Sequence, residues 1–488
     1  MVYLDFPFWI RFAHFINLIF ITLLIRSGIE ILSALPKLYW HDHATPGTEW
    51  LKFTKKTFAP DLKKRVWISL EEEESFSSWI ALPGHKNLGI GRHWHFFSII
   101  FWIVNGAAYY ILLFTSNEWA RLVPTSWAIF PQAIHTAIIY ASFHIPPPGN
   151  PYNPLQELSY FGVVFLLGPF MITTGAAMSP AIGARFPRYT KIFRGRQVAR
   201  SLHFLGMIAF VLFIIVHLAM VIVERFSDNM GNIFLGKEVS LGIAIGIFVL
   251  FVLVVATVHV WATGISLRRP RAVQNKLGTV IEPVRRVLFG GIVPRPFYAK
   301  SDVTQFFRTN GYPPDTQEYK ELLETDFISW KLKIHGLVEK PLELALSDLR
   351  TMKMEIQITE HSCIQGWTAI GEWGGVPMNY IMSLCEPTPE ARYVVLYSYQ
   401  YADGAQYYEV INIELAKHYQ TILAYEMNGE PLSVPYGAPL RLRVETQLGY
   451  KMVKWLKSIE FVSDYKNIGM GQGGHREDHM YYGIGAGI

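Results

Sequence analysis

The sequence predicts a membrane-embedded, all-α bundle of about five helices, followed by a mixed α+β domain that is rich in β-strands. Hydrophobic residues make up 51% of the 488-residue chain and charged residues only 17%. The apolar excess lies almost entirely before residue 267, and the rest of the chain has an ordinary soluble composition. After residue 300, short β-rich runs alternate with Gly, Pro and Asn turns, a pattern typical of strands and hairpins.

Five segments are long enough to cross the bilayer, because a hydrocarbon core of about 30 Å needs roughly 20 helical residues. They are residues 7–32, 95–115, 157–180, 200–223 and 239–266. The apolar stretch 127–145 ends at a run of prolines, which favours an interfacial or re-entrant segment.

Composition divides the chain into four parts. They are a transmembrane domain over 1–267, a basic linker along the membrane surface over 268–299, a globular domain over 300–466 and a flexible, glycine-rich tail over 467–488. Within the globular domain, two short helical patches are expected near 315–325 and 413–420.

Charge and cysteine content exclude some classes of protein. A net charge of +5 is too small to argue for a nucleic-acid partner, and the Lys and Arg residues cluster beside the hydrophobic segments. With two cysteines, Cys363 and Cys385, no disulfide framework is indicated. The basic loops share one side of a five-helix bundle, and the positive-inside rule makes that side the cytoplasm. Because no export signal is visible, we expect a multi-pass protein of the bacterial inner membrane with its globular domain in the cytoplasm.

Histidines within the apolar segments are candidate metal ligands. A lone histidine there more often bonds a backbone carbonyl, although the cost of burying it in hydrocarbon favours a functional partner. His203 and His217 are 14 residues apart on the fourth segment, so they share a helix face about 21 Å apart. That separation is too large for one metal ion and suits two stacked haems, each taking one ligand from this helix.

Topology assigns the second ligand of each haem. The fourth segment starts on the same side as the second, so His203 should face His95, and His14 of the first segment should face His217. His93 competes with His95, because the two point to different faces of the helix, and His95 is preferred because it lies deeper.

Other features of these segments fit either cofactor binding or plain packing. His259 on the fifth segment is interpreted as structural or as close to a quinone pocket. Gly28, Gly106 and Gly206 allow haem faces to approach the backbone, or they serve close helix packing.

Three runs carry a family resemblance. The runs Arg11–His14, Gly91–Phe97 and Gly195–His203 resemble the di-haem cytochrome b subunits of membrane-bound nickel–iron hydrogenases and formate dehydrogenases, over roughly residues 1–267. Those subunits pass electrons between a hydrophilic redox partner and membrane quinone. The resemblance therefore implies two b haems, quinone or quinol as the electron carrier, and contact with membrane lipid.

In the second half, Cys363 is the candidate catalytic residue. A single cysteine is more often a small buried hydrophobe, and the alternatives are a thiolate nucleophile or a metal ligand. A hydrolase-type pair with His361 lacks an obvious orienting acid. Nearby basic residues have the alternative interpretation of a solvated strand edge.

Four motifs in order resemble the sulfite-oxidase family of molybdenum enzymes. They are Phe306–Asn310, Tyr425–Leu432, Tyr436–Leu442 and Gly449–Leu456. In that family a lone cysteine thiolate ligates molybdenum beside one pterin dithiolene, and Cys363 occupies its position. A soft thiolate suits such a metal. Cys385 lies in no motif and is assigned to inert core.

The resemblance also implies which residues hold the pterin. Arg441, Gly449, Tyr450, Lys451 and Lys454 are assigned to its phosphate, which needs cations and backbone donors. Residues that match other cofactor contacts are Arg308, Thr309, Asn310, His361, Ser362, Ser398 and Tyr436. Family sulfite oxidases often carry His where Tyr436 stands.

The substrate class follows from the stretch after the cysteine. Residues 366–377 lack the arginine-bearing segment of sulfite oxidases and are closer to bacterial sulfite-oxidase-like methionine sulfoxide reductases. We therefore expect quinol-driven reduction of a small-molecule S-oxide or N-oxide. The alternatives are oxidation of sulfite or another sulfur compound with electrons delivered to quinone, and an electron-relay subunit with a vestigial molybdenum domain.

The tail and the oligomeric state complete the expectations. His475 and His479, which flank Glu477 and Asp478, suggest a metal site, but a solvated glycine-rich tail is favoured. The sequence leaves a homodimer open.

Overall fold

The computed structural model describes residues 6–56, 66–147, 149, 152–483 and 486–488. Within these residues, five helices are long and apolar enough to cross a membrane, as predicted. The helices of the N-terminal half are α1 (Phe8–Ala34), α2 (Leu88–Thr115), α3 (Ile129–Ala141), α4 (Pro154–Ala177), α5 (Arg196–Val223), α6 (Phe226–Leu235), α7 (Leu241–Arg268) and α8 (Pro270–Phe289). The crossing helices are α1, α2, α4, α5 and α7, and α3 is too short to span a bilayer.

Helix α2 begins at Leu88 rather than near residue 95, so His93 and His95 lie inside the helix and do not open it. The glycines and Arg92 at this end of the helix obscure its start in the sequence. Gly91 is required here, because a Cβ at this position would lie 2.6 Å from the Glu30 side chain of α1. The Glu30 carboxylate accepts a hydrogen bond from the backbone of Asn87, the residue before α2.

Most of the expected linker is helix α8. Pro270 stands in its first turn, where a missing N–H costs nothing, and Pro283 lies inside it. Val273, Leu277 and Ile281 recur every four residues and are all buried, so this amphipathic helix packs one face against the bundle.

The C-terminal half contains two five-stranded sheets. Their orders are β10-β9-β6-β5, with β11 also paired to β9, and β4-β3-β12-β7-β8. The strands are β3 (Lys331–Gly336), β4 (Leu342–Ala345), β5 (Glu355–Ser362), β6 (Thr368–Pro377), β7 (Tyr393–Ala402), β8 (Ala405–Asn412), β9 (Thr421–Met427), β10 (Glu430–Pro431), β11 (Arg441–Val444) and β12 (Leu456–Val462). Two short strands, β1 (Lys37–Leu38) and β2 (Leu51–Lys52), pair in the loop after α1. Helices at Gln317–Glu324 and Ile413–Lys417 lie in the two patches expected to be helical.

The two halves share one hydrophobic core. The largest buried side chains of the C-terminal half are tryptophans, such as Trp367 and Trp373, each no more than 1% exposed. The same cluster of buried residues continues into the end of α1 and the loop after it, through Leu35 and Tyr39. The C-terminal half is therefore packed directly against the end of the helical bundle.

A buried ionic network crosses this junction. Glu72 of the N-terminal half pairs with Lys37 and with Arg308 of the C-terminal half, each at 2.5 Å. Arg308 also donates to the Tyr39 hydroxyl at 3.1 Å. Removing one partner of a buried pair costs about 3–5 kcal/mol, so this network opposes separation of the two halves.

The expectation of a flexible tail is wrong for the described residues after 466. His475, Glu477 and Asp478 are no more than 5% exposed, and His475–Met480 form a helical turn. The main-chain oxygens of Glu477 and Asp478 accept hydrogen bonds from Arg271 of α8, at 2.8 and 2.7 Å. The segment is ordered because its charged residues find partners far away in the sequence, which composition does not reveal.

Candidate cofactor sites

A cavity opens at the end of β5, where the chain passes from the sheet into the loop that carries Cys363. Its empty space, including the open mouth, is about 750 Å³. Ten of the thirteen residues predicted for the molybdenum site line it: Arg308, Thr309, Asn310, His361, Cys363, Tyr436, Arg441, Gly449, Tyr450 and Lys454.

The Cys363 thiol is 4% exposed and has few polar neighbours. Its Sγ lies 3.9 Å from Asn310 Nδ2 and 3.7 Å from Gln365 Oε1. Burial raises the pKa of the Cys363 thiol to about 11. A buried thiol of this kind becomes a thiolate when a metal cation binds it, so the surroundings suit a ligand rather than a free nucleophile.

Among the cations that line the cavity, Lys454 and Arg441 have no carboxylate partner in the described part of the chain. Lys454 Nζ donates to the Pro435 carbonyl at 2.8 Å, and an Arg441 Nη donates to the Tyr436 carbonyl at 2.9 Å. Burial and the neighbouring Arg441 hold the pKa of Lys454 well below its usual range. Arg441 Nε is buried with no hydrogen-bond partner. Uncompensated buried cations of this kind favour an anionic group such as a phosphate.

His361 is set as a neutral hydrogen-bond donor. Its Nδ1 lies 3.1 Å from Arg443 Nη1, and Arg443 pairs with Glu445. Because arginine can only donate, Nδ1 accepts and Nε2 carries the proton. Burial and Arg443 lower the pKa of His361 well below its ordinary value. A Cβ at Gly449 would lie 2.2 Å from this ring, so only glycine fits beside it.

Three of the predicted contacts lie elsewhere. The hydroxyl of Ser362 donates to Glu360 at 3.1 Å and that of Ser398 to the Lys454 carbonyl at 2.7 Å. Lys451 pairs with Glu409 at 2.9 Å and with Glu477 of the tail. These side chains bind protein partners and are not among the residues that line the cavity, so their contact with the cofactor stays a prediction.

Two further predicted residues border the cavity with their polar groups already engaged. The guanidinium of Arg308 binds Glu72 and the Ala44 carbonyl, and the Thr309 hydroxyl donates to the Trp67 carbonyl at 2.8 Å. They attach the cavity wall to the loop between α1 and α2. Sequence motifs locate such residues without showing which way their donors point.

Replacing Lys451 by methionine is expected to lower the free energy of unfolding by about 3–5 kcal/mol, because it leaves Glu409 and Glu477 buried without their cation. Thermal denaturation of the detergent-solubilised protein measures this loss. Lys457→Met is the matched control, since the Lys457–Glu318 pair lies at the surface and such pairs contribute about 1 kcal/mol or less. Equal shifts of the denaturation temperature in the two variants would show that the buried Lys451 cluster stabilises the protein no more than a surface ion pair does.

His95 and His203 are oriented alike in the bundle. His95 Nδ1 lies 3.1 Å from the Ser27 hydroxyl, and His203 Nδ1 lies 3.0 Å from the Thr174 hydroxyl. Both hydroxyls donate to carbonyls of their own helices, so each accepts from the imidazole. This assigns the proton to Nδ1 and leaves Nε2 free to bind a metal ion.

His14 and His217 form the second pair, at the other end of the bundle. Their ring centroids are 6.2 Å apart. Metal–imidazole bonds are about 2 Å long, as for zinc, so one ion between the rings fits this separation. The fourteen-residue spacing on α5 sets the two pairs about 21 Å apart.

The remaining membrane histidines are occupied differently. His93 is 1% exposed, and its Nδ1 lies 2.7 Å from the Gly89 carbonyl of its own helix. His259 uses both ring nitrogens, with Arg26 at 2.8 Å and the Thr22 hydroxyl at 2.9 Å. His259 keeps no free ring nitrogen, which favours a structural role. His93 keeps a buried Nε2 without a partner among the described residues, but His95 is the histidine that interacts with His203 and stays the preferred ligand.

Glycines border the first pair of rings. A Cβ at Gly28 would lie 3.7 Å from the His95 ring, and one at Gly175 would lie 3.3 Å from the His203 ring. Around Gly106 a Cβ would meet no atom within 4 Å, whereas Gly206 is packed against Met171. Gly28 and Gly106 thus leave room for a flat cofactor, whereas Gly206 serves helix packing. Gly175 lies in none of the motifs that the sequence prediction used.

The loop that carries Cys363 lies on the first turns of α5. Gln197 of α5 donates to the Gly366 carbonyl at 2.7 Å, and a Cβ at Gly366 would lie 3.9 Å from Arg200. His203 follows Gln197 by less than two helical turns, or about 9 Å. The two candidate cofactor sites are therefore neighbours across the junction of the halves.

The structure also brings in cavity residues that the sequence motifs do not indicate. Arg476 and Tyr482 come from the tail, and Gln400 and Tyr407 come from the β7–β8 hairpin. In the tail, the run of charged residues His475–Asp478 is the sequence feature that could have indicated a folded segment near the site. The glycines around it favoured a solvated tail instead.

Comparison with known proteins agrees with this division of the chain. Residues 5–236 match the family of prokaryotic cytochrome b561, and residues 320–468 match the oxidoreductase molybdopterin-binding domain. The chain is 34% identical over 190 residues to YedZ1 of Azospira oryzae, named as a protein-methionine-sulfoxide reductase subunit, covering 39% of this chain and 67% of that protein.

The C-terminal half has relatives of its own. The chain is 32% identical over 173 residues to MsrP, a protein-methionine-sulfoxide reductase catalytic subunit of Xanthomonas campestris, covering 33% of this chain and 54% of that protein. It thus spans about half the length of that relative. Among solved structures, the sulfane dehydrogenase SoxCD from Paracoccus pantotrophus aligns over 36% of this chain and 44% of that chain, with 22% identity and a TM-score of 0.28.

The five apolar helices, the paired histidines and the cysteine cavity agree with both families, whose cofactors are haem b and molybdopterin. The chain belongs to the prokaryotic cytochrome b561 family through its N-terminal half and to the molybdopterin-binding oxidoreductases through its C-terminal half, which makes it a membrane-embedded molybdopterin-dependent oxidoreductase.

Proposed function

We propose that this chain takes electrons from membrane quinol, passes them through two b haems, and uses them at a molybdenum site to reduce an S-oxide or N-oxide. The observation that carries the proposal is the contact between Gln197 and Gly366. It joins the helix that bears His203 to the loop that bears Cys363 within one chain.

The residues present fit both cofactors. In the bundle, His95 with His203 and His14 with His217 form two imidazole pairs, and haem iron bound by two imidazoles is a carrier of single electrons. The hydroxyls of Ser27 and Thr174 orient the first pair, which in other metal sites tunes affinity by about 10–100-fold.

In the cavity, Cys363 supplies the metal ligand, and the unpaired cations Arg441 and Lys454 supply the site for the pterin phosphate. When bound there, molybdenum would supply oxygen-atom transfer: the substrate leaves as the reduced product, and two electrons from quinol with two protons convert its oxygen into water. Asn310 and His361 provide neutral donors beside it. The loop after Cys363 is closed by Trp367, which is 1% exposed, and so water is kept from that side of the thiolate.

The direction of the reaction is supported by what the cysteine loop lacks. Residues 366–377 contain no arginine, the residue that would best hold a sulfite dianion at this loop. Two relatives are named as methionine sulfoxide reductase subunits. A neutral S-oxide or N-oxide can be bound without an arginine in this loop.

Activity in membrane vesicles tests the proposal. Vesicles that contain the full chain should oxidise added quinol when dimethyl sulfoxide, trimethylamine N-oxide or methionine sulfoxide is supplied, and their haem absorbance should be reoxidised at the same rate. The matched control is vesicles with the Cys363→Ser variant. Reduction of quinone on addition of sulfite, without S-oxide reduction, would instead establish the reverse reaction. If neither reaction occurs and no molybdenum is bound, the alternative of an electron-relay subunit would be supported.

The side of the membrane is a separate prediction. The excess of Lys and Arg at the junction side of the bundle argues for the cytoplasmic face. Single cysteines placed at exposed Lys353 and at Lys237, on opposite sides of the bundle, should show opposite labelling by an impermeant maleimide in intact cells. Labelling at Lys353 alone would place the catalytic half outside the cytoplasm.

A further inference from the structure

The tail adds a wall to the cysteine cavity outside the two family matches. Arg476 and Tyr482 border the cavity together with Cys363, whereas the match to the molybdopterin-binding family ends at residue 468. These two side chains therefore lie beyond the stretch that the family match covers.

The tail is held rigidly enough to position them. The Asp478 carboxylate accepts hydrogen bonds from the Tyr408 hydroxyl at 2.5 Å and from the backbone of Met470 at 2.9 Å. Glu477 pairs with Lys451. The Tyr482 carbonyl accepts from Gln274 of α8 at 2.7 Å. The wall is thus fastened on one side to the catalytic half and on the other to the membrane half.

Arg476 is a cation with no carboxylate within ion-pair distance in the described chain. Its Nη1 lies 2.6 Å from Met480 Sδ, and its guanidinium lies 5.7 Å from the Tyr407 ring centroid. Neither contact neutralises the charge. A guanidinium that borders a cavity in this state favours an oxygen atom carrying negative charge.

Tyr482 offers a second donor beside it. Its side chain is 4% exposed, and its hydroxyl makes no hydrogen bond to any described residue. Its ring lies 5.3 Å from that of Tyr450, whose hydroxyl is buried with no partner. Burial and the Glu73 carboxylate raise the pKa of Tyr482, so the phenol stays protonated and can donate a hydrogen bond.

The cations of the cavity come from different parts of the chain. Arg441 of β11 and Lys454, which precedes β12, are the pair assigned above to the pterin phosphate. Arg476 comes from the tail and is not part of that pair, so it can be assigned to the substrate.

We propose that Arg476 and Tyr482 bind the oxygen-bearing group of the oxidised substrate and determine specificity for it. The proposal rests on the function proposed above. The tail thereby supplies hydrogen-bond donors to the substrate oxygen from outside the cysteine loop. The oxygen of an S-oxide or N-oxide carries a partial negative charge, which a guanidinium and a phenol would both stabilise by donating hydrogen bonds.

Kinetics of the full chain in vesicles test this role with Arg476→Met and Tyr482→Phe. For Arg476→Met, kcat/KM for dimethyl sulfoxide should fall about 10- to 100-fold, mainly through KM, because a hydrogen bond from a charged group is lost. For Tyr482→Phe, the fall in kcat/KM should be smaller. Molybdenum content, haem content and reduction of the haems by quinol should not change. The exposed Arg350→Met is the matched control.

A binding measurement separates this proposal from the proposed function. Sulfate, an oxyanion that cannot be reduced by this route, should bind the molybdenum-loaded wild type more tightly than Arg476→Met in calorimetric titration. If the wild type proves to oxidise sulfite, a higher KM for sulfite in Arg476→Met still supports the binding role. Equal sulfate affinity in both proteins, or loss of molybdenum in Arg476→Met, would overturn it.

Discussion

Replacing His203 by leucine is expected to remove one of two b haems and to reduce quinol-dependent turnover at least about 100-fold. Groups that only hydrogen-bond to a metal ligand are worth about 10–100-fold, and His203 is itself the proposed ligand nearer the cysteine loop. The second pair, His14 and His217, lies about 21 Å away along α5 and should keep its haem. Haem content per chain and quinol oxidation in vesicles measure the two effects.

His93→Leu is the matched control for this experiment. His93 is buried in α2, and its Nδ1 hydrogen-bonds to the Gly89 carbonyl of the same helix. Because His93 is not a proposed ligand, both haems and most of the turnover should be retained. The corresponding His95→Leu variant should behave like His203→Leu. Loss of a haem in His93→Leu with retention in His95→Leu would reverse the assignment. Supplying dithionite instead of quinol should restore substrate reduction in His203→Leu, since the cavity itself is unchanged.

Replacing Cys363 by serine is expected to remove substrate reduction by at least about 100-fold and to lower the molybdenum content, while both haems remain reducible by quinol. Serine has nearly the same shape but offers a hard oxygen in place of the soft thiolate that suits this metal. Molybdenum analysis, the haem spectrum and turnover are measured on the same preparation.

Cys385→Ala controls for the loss of a buried sulfur. Cys385 is fully buried at the end of the helix Met378–Cys385, away from the cavity, where its Sγ contacts the Met382 carbonyl. Only stability should change, by the amount usual for a small cavity. Full activity in Cys363→Ser would mean that the metal is held by other groups.

The sequence predicts best where one physical requirement dominates. The length of the apolar segments alone locates the five crossings. The free-energy cost of burying an imidazole in hydrocarbon identifies His203 and His217 as candidate ligands. The contents of the cavity were predictable through motifs, because Cys363, Asn310 and Arg441 occupy positions that a resemblance can transfer. In each case the signal is local or periodic.

Prediction fails where a residue's role depends on a distant partner. In the sequence, Lys451 resembles a phosphate ligand. In the structure, its ammonium group pairs with the carboxylates of Glu409 and Glu477. The tail resembles a solvated linker until Asp478 meets Tyr408. Helix α8 lies between these two cases. Its apolar residues recur every four positions in the sequence, which indicates a helix, but its prolines and positive charges favoured a linker.

The hydrophobic core that runs from α1 into the catalytic half also sets the kinetic order of the reaction. Two separate subunits must find each other by diffusion, at a rate that depends on concentration and, when charges steer the encounter, on salt. Here the encounter has been replaced by covalent continuity and buried packing. Turnover per molecule should therefore stay constant on dilution and across ionic strengths that would disperse a transient pair.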